Sequence, residues 1–579
     1  MPVSRLRPAF IFALFSLFVL AGCADSEKAA ISGFDSDEGI LRFVPADTPY
    51  LVATPGNVPD ELMDKLEPQL DIVLKAYYSI LRAMVENAYA EARESEADLS
   101  SFEKALPVVD ELESLMSLEG LRGAGIARNA DVAVYGVGLL PVFRLSLTEG
   151  ELFDAVIARM EDKASQEMPR GTIDGHSYRY VGDDEGRLVV AVIDNDLVVA
   201  VVPSALSDDL LKQVLGLTLP DHNIADSGAL GELAGTYGLT DYLIGVFDIE
   251  RITKTFLEAP TGINAELLAL AKYDDSELSD VCKTEILSLA GVMPRIVFGY
   301  TELNVRKMSS KMVIELRDDI AAGVSTLTGA VPGLATPHDG LFSIGMSADL
   351  LAARAFYSER LDAIEADPFE CELFAEFQEG VVAGREALNK PVPPVIYGFK
   401  GFLAVIQSME GMDLANNVPP TSIDMQLLLA MDNAESLIAM GAMFSPELAA
   451  LNVEADGDPV RLTMPQIDAS GLDVFVALTA NGLGVSVGEG MHEGLADLMS
   501  ADVPEPSPFL VADMDTERYY AFLGDVIAAQ QDSGNEFPEL QEAVATMTES
   551  IRKMMDRVRL VVNFTENGIE VDSSVQLAE

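Results

Sequence analysis

The strongest constraint on the fold is a stretch that the chain spells twice. Residues 187–202 (RLVVAVIDNDLVVAVV) read as two apolar strands around a tight Asp-Asn-Asp turn. Residues 473–488 (DVFVALTANGLGVSVG) follow the same register 286 positions later. Asn tolerates the positive φ that a two-residue hairpin loop demands. Each copy runs into a short helical pattern, 204–215 and 490–500. A second block, YLIGVFDIER at 242–251, returns as FLVADMDTER at 509–518, offset by 267. Both spell a strand, then Asp as helix N-cap (Asp248, Asp515), then a helix with Glu in its first turn. The two offsets differ by 19, which places a loop near 219–238 of the first copy.

Similarity at such spacing predicts a duplication. The expected fold class is α+β: two duplicated halves, each an antiparallel sheet with helices packed on one face. The halves span 41–330 and 338–579, and a Pro- and Gly-dense linker at 329–340 joins them. Hairpins at 295–316 and 558–577 close the two copies, and hairpin-linked strands pair antiparallel. Apolar residues at helical spacing over 66–93, 265–290, 369–388 and 538–558 mark helices that cover the sheets.

The N-terminus carries an address. Arg5 and Arg7 precede an apolar stretch at 9–20, too short for the roughly 30 Å of a bilayer core, so residues 1–22 read as a signal peptide. The stretch ends in Leu20-Ala21-Gly22-Cys23, which resembles the lipobox of exported bacterial lipoproteins. The resemblance implies cleavage before Cys23 and acylation of its thiol. Ala24 rather than Asp follows Cys23, which by the same resemblance points to the outer membrane, facing the periplasm. Residues 23–40 then form the lipidated Cys and a small, acidic, flexible tether. The body, with Phe43-Val-Pro-Ala-Asp-Thr-Pro-Tyr50 before its first strand, resembles an uncharacterised group of exported bacterial proteins, which implies no activity.

Composition bears on partners. With 38 Lys and Arg against 94 Asp and Glu, the formal charge is −56. That excludes nucleic acid, which needs clustered cations, and argues against docking on anionic headgroups. The expected partners are the membrane, through the N-terminal lipid, and an envelope protein or small ligand.

Chemistry-bearing motifs are sparse. Cys282 and Cys371 lie in an oxidising compartment on this reading, and a disulfide between them would tie the two halves together; two buried thiols are the alternative. Gly484-Val-Ser486-Val-Gly488 matches a hydrolase G-x-S-x-G string, with His492 close behind, but Ser486 falls inside a strand of the repeated hairpin rather than at a strand-to-helix turn. His176, His222, His338 and His492 show no metal-ligand spacing, and the acidic loops 183–185 and 454–458 do not fit a Ca²⁺ loop. No nucleotide motif is present, so no cofactor or metal is expected. The function these observations favour is a binding or scaffolding module of the cell envelope. The alternative is an envelope hydrolase whose site is assembled from distant residues.

Overall fold

The computed structural model describes residues 34, 39–95, 100–276, 278–411, 420–530 and 538–579. Cys23 and the leader before it lie outside the described residues.

The nineteen strands, in chain order, are β1 (Tyr50–Ala53), β2 (Val132–Val137), β3 (Leu140–Ser146), β4 (Arg170–Ile173), β5 (His176–Gly182), β6 (Gly186–Ile193), β7 (Asp196–Pro203), β8 (Ile244–Asp248), β9 (Arg295–Leu303), β10 (Lys307–Glu315), β11 (Phe342–Ser347), β12 (Phe399–Glu410), β13 (Ser422–Met431), β14 (Val460–Arg461), β15 (Val474–Thr479), β16 (Gly482–Val487), β17 (Leu510–Asp515), β18 (Met555–Thr565) and β19 (Gly568–Leu577). The helices that matter below are α1 (Asp60–Glu94), α2 (Leu118–Gly123), α3 (Gly150–Lys163), α4 (Asp208–Leu215), α5 (Ala229–Tyr237), α6 (Asp280–Ala290), α7 (Leu350–Ala366), α8 (Ala375–Asn389), α9 (Glu435–Ala442), α10 (Pro446–Ala450), α11 (Leu495–Met499), α12 (Thr516–Gln530) and α13 (Pro538–Met554).

The repeated hairpins form as β6–β7 and β15–β16. The positive φ expected of Asn is not found in either turn: in the first it falls on Asp194 (54°) rather than Asn195, and in the second Asn481 does not adopt it. Asp248 and Asp515 both cap helices, accepting the backbone N–H of Arg251 (2.8 Å) and of Arg518 (2.9 Å).

The expected fold class, two duplicated α+β halves each with its own sheet, is overturned. All nineteen strands among the described residues belong to one open antiparallel sheet. Its spatial order is β4-β5-β6-β7-β3-β2-β1-β8-β9-β10-β19-β18-β17-β11-β12-β13-β16-β15-β14. The two closing hairpins, β9–β10 and β18–β19, do not end separate sheets. β10 and β19 pair from Lys307↔Gln576 to Glu315↔Gly568. Each would otherwise present a long unpaired edge, and pairing the two edges satisfies every backbone group along them.

Helices on a single face fail as well. On one face, Ala133, Tyr135, Val198, Ala200 and Val202 pack under α4 and α5. On the other, Phe143, Leu145, Leu197 and Val199 pack under α2 and α3 through Leu121 and Phe153. The 329–340 segment is no free linker either. Val331 and Leu334 are fully buried against Leu403 and α11. Arg559 donates to the Ala335 carbonyl (2.5 Å), Arg557 donates to that of His338, and both guanidinium groups are held by buried Asp513 (3.0 and 2.6 Å).

Candidate binding face of the central strands

The eight adjacent strands β9, β10, β19, β18, β17, β11, β12 and β13 differ sharply between their two faces. Register fixes which side chains share a face, because residues opposite one another in a ladder point the same way. One row runs Leu429–Phe402–Met346–Leu510–Val562–Val571–Met312–Phe298. The next runs Leu427–Ala404–Ile344–Ala512–Leu560–Ser573–Ser310–Tyr300. Neither row holds a charge, and every residue in both is half-buried rather than sealed in a core. At about 4.8 Å between strands, the rows cross about 34 Å of sheet.

An aromatic file extends this face toward β1. The rings of Tyr50 and Phe247 stack at 6.2 Å, and those of Phe247 and Phe298 at 6.4 Å. Phe247 is 39% exposed. Burial pushes the Tyr50 phenol up to about 12, so it stays protonated while donating to the Leu139 carbonyl (3.1 Å).

Helices seal the two ends of this face more tightly. α2 and α3 cover it near β7, and α9 and α10 cover it near β16 through Leu437, Ile438 and Leu451. Along the β9–β10 hairpin, Leu62 and Met63 of α1 pack on Leu303 and Leu577.

The reverse face of the same strands carries the ions. Arg295 makes a two-pronged pair with Glu315 (2.9 and 2.8 Å), which also accepts from the Tyr237 hydroxyl (2.6 Å). Lys311 bridges Glu570 (2.7 Å) and Asp572 (3.6 Å) across the β10–β19 ladder. His338, beside the Asp513 pair, has its pKa lowered chiefly by burial, which favours the neutral ring. The apolar face is itself partly roofed, because Tyr300, Met308 and Val575 pack with Leu62, Met63 and Leu66 of α1, and α13 lies along α1 and reaches β18.

The motifs singled out in the sequence lie elsewhere. Cys282, in α6, and Cys371 form a disulfide with Cα atoms 4.7 Å apart. Ser486 is fully buried in mid-strand, paired with Gln426 and Phe475, and its Oγ has no partner among the described residues. His492 stacks on Phe475 at 4.1 Å. A nucleophile elbow needs its Ser at a sharp strand-to-helix turn, and Ser486 sits inside a ladder. His176 and His222 are both exposed, the first opening β5 and the second outside the named strands. Among the described residues no group of three His, Cys, Asp or Glu could hold a metal ion, and no helix is long and apolar enough to cross a membrane. The Asp183 carboxylate accepts the N–H groups of Glu185 (3.0 Å) and Gly186 (3.2 Å), an ordinary turn.

The apolar rows carry no site motif in the sequence, although their alternation is written there. Phe342-Ser-Ile-Gly-Met-Ser347 alternates large apolar with small residues, and Val558-Arg-Leu-Val-Val-Asn-Phe564 alternates apolar with mostly polar. No protein-family model, curated protein or solved structure matches this chain.

Proposed function

We propose that this protein is a lipoprotein of the cell envelope, anchored to the outer membrane through Cys23 and facing the periplasm, that binds a hydrocarbon-bearing small ligand along the apolar face of its central strands. The observation that carries the binding role is the pair of charge-free rows across eight strands, half-buried where a packed core would be sealed. Ligand sites are mostly apolar, and a charge-free sheet face that is not fully buried supports that reading. The anchoring role is supported by the basic–apolar leader ending in Leu20-Ala21-Gly22-Cys23.

Two experiments separate these roles. The full chain carrying Cys23→Ala is titrated with an environment-sensitive apolar dye, and the dye is then competed with a long-chain alcohol. Saturable binding is expected, with an at least tenfold loss in Ile344→Glu and Leu560→Glu. Dye binding that both variants retain in full would refute the assigned face. Membrane fractionation tests the anchor: a Cys23→Ala protein that still sediments with the outer membrane and carries lipid would end that part of the proposal.

A further inference from the structure

The helical hairpin α7–α8 presents a second apolar surface, separate from the sheet face. A groove of about 690 Å³ runs between the helices. Tyr357, Leu361 and Ile364 line it from α7, and Phe377 and Val381 from α8. Large apolar side chains stay in water here: Tyr357 is 57% exposed and Phe377 is 48%. On α8, Gly380 and Gly384 lower one wall, and a Cβ placed at Gly380 would meet nothing within 4 Å. From Glu376 to Leu388 the groove follows about 18 Å of helix at 1.5 Å per residue, the length of three turns of a partner helix.

Charge selects the occupant. Residues 350–390 hold nine carboxylates against four cations. Arg360 is paired with Asp319 and Glu359, and Arg385 with Asp362 and Glu365. Arg354 is engaged by Tyr397. Glu376 lines the groove beside the already paired Arg360, Glu372 precedes α8, and Glu379 and Glu386 lie on the outer side of α8. All four carboxylates are exposed and among the described residues make no ion pair. A second copy of this chain would bring the same carboxylates to the contact, and anionic headgroups would be repelled in the same way. A helix with an apolar stripe flanked by Lys and Arg matches the groove's apolar lining and the acidic excess of the hairpin and chain around it. The hairpin is also held in place. Cys371, at its turn, is bonded to Cys282, and Glu285 of α6 accepts the N–H groups of Glu370 (2.8 Å) and Cys371 (3.1 Å). A fixed groove loses less conformational entropy on binding.

We propose that the α7–α8 groove docks a cationic amphipathic helix of a partner protein. This goes beyond the apolar-ligand role and does not depend on it. The probe is a synthetic 14-residue Leu/Lys helix with one apolar stripe, labelled for fluorescence anisotropy, against the full chain carrying Cys23→Ala. The control peptide has the same composition with its stripe scrambled. Saturable binding that weakens with salt is expected, together with an at least tenfold loss in Gly380→Leu. That substitution fills the groove while replacing a helical Gly, so its Tm should be unchanged or higher. Glu376→Gln with Glu372→Gln should weaken binding and flatten its salt dependence, whereas Ile344→Glu on the sheet face should leave it unchanged. The proposal is overturned if the stripe peptide does not bind, if the scrambled peptide binds as well, or if Gly380→Leu binds undiminished. A dimer in sedimentation, or binding to phosphatidylcholine–phosphatidylglycerol vesicles, that is lost in Gly380→Leu would assign the groove to those occupants and overturn it equally.

Discussion

Removing the Cys282–Cys371 bridge tests whether the sheet behaves as one cooperative body. The bond joins residues 89 positions apart, and the chain it encloses includes β9, β10, β11 and α7. In the chain-entropy account, closing a loop of about 90 residues in the unfolded state is worth roughly 4–5 kcal/mol. Both cysteines are buried, at 9% and 4% exposure, so Cys→Ser at each position also leaves small packing defects. The native contact itself should survive, because Glu285 still accepts two backbone N–H groups from the other side. The expected result for Cys282→Ser with Cys371→Ser is therefore a folded protein with a weaker unfolding free energy. An m-value of about 3 kcal/mol/M in urea is the top of the small-protein range and a lower bound for a cooperative body of this size, so a 4–5 kcal/mol loss lowers the midpoint by at most about 1.5 M. The measurement is urea unfolding followed by far-ultraviolet circular dichroism, on wild type without and with reductant and on the double variant.

The continuous sheet makes a sharper demand on the same experiment. If the β10–β19 ladder couples the chain, the whole transition should shift as one, with m unchanged. A midpoint unmoved by loss of both thiols would refute the entropic reasoning. A split into two transitions, with only one of them shifted, would refute cooperativity across the ladder.

Three further outcomes follow from buried charges. Arg144 is 1% exposed, pairs with Asp196 (2.9 Å), donates to the Leu215 carbonyl (2.9 Å) and lies over the Phe43 ring at 3.7 Å. Arg144→Met should cost about 3–5 kcal/mol by leaving Asp196 unpaired, and adding Asp196→Leu should recover much of it; a double-mutant cycle with no coupling would contradict this. The Asp131 carboxyl is pushed up to about 6, first by burial and then by neighbouring Asp196. The folded state thus holds that proton longer than the unfolded state does, so its contribution to stability is full below pH 4 and is lost as pH rises toward 6. Asp131→Asn should remove that fall and raise stability at pH 7 by about 1–2 kcal/mol, after discounting for partial solvation; a pH–stability curve unchanged by the substitution would count against it. His338 runs the other way: its lowered pKa means that stability falls as pH drops below about 6.5, and His338→Gln should flatten that limb in acid unfolding curves.

Local chemistry was legible in the sequence, and long-range pairing was not. The Asp-Asn-Asp turn, the Asp248 and Asp515 caps and the closing hairpins all depend on residues within a few positions of each other. The 265–290 stretch illustrates the limit even at short range, since it reads as one helix by apolar spacing. It breaks at Lys272, which adopts φ 52°, and restarts where Ser279 caps Cys282 at 3.1 Å. The Asp274-Asp-Ser276 cluster inside it was the available signal, because such side chains compete for backbone N–H groups. The β10–β19 ladder joins strands whose partners lie about 260 residues apart, and nothing in either strand's own pattern names the other. A hairpin pattern predicts that an edge exists, not what covers it. The same ignorance hid the apolar face: alternation in β11 or β18 gives each strand a greasy side, but only the shared register adds eight such sides into one surface.

The distribution of charge gives that surface its meaning. Arg144, Arg295, Lys311, Arg557 and Arg559 are all spent in pairs on or beneath the sheet. Cations used inside are unavailable outside, so a chain of 94 acids and 38 bases turns an even more one-sided surface to solvent. Repulsion among those carboxylates opposes compaction and is tolerable only where salt shortens its range to about 10 Å or less. Adding a charge to the apolar rows would relieve none of that repulsion and would put an ion where half its hydration is gone. The rows therefore stay neutral for an electrostatic reason as well as a hydrophobic one. On the proposed reading, a ligand along them would be held by its hydrocarbon, and the acidic surround would disfavour any anionic group it carries.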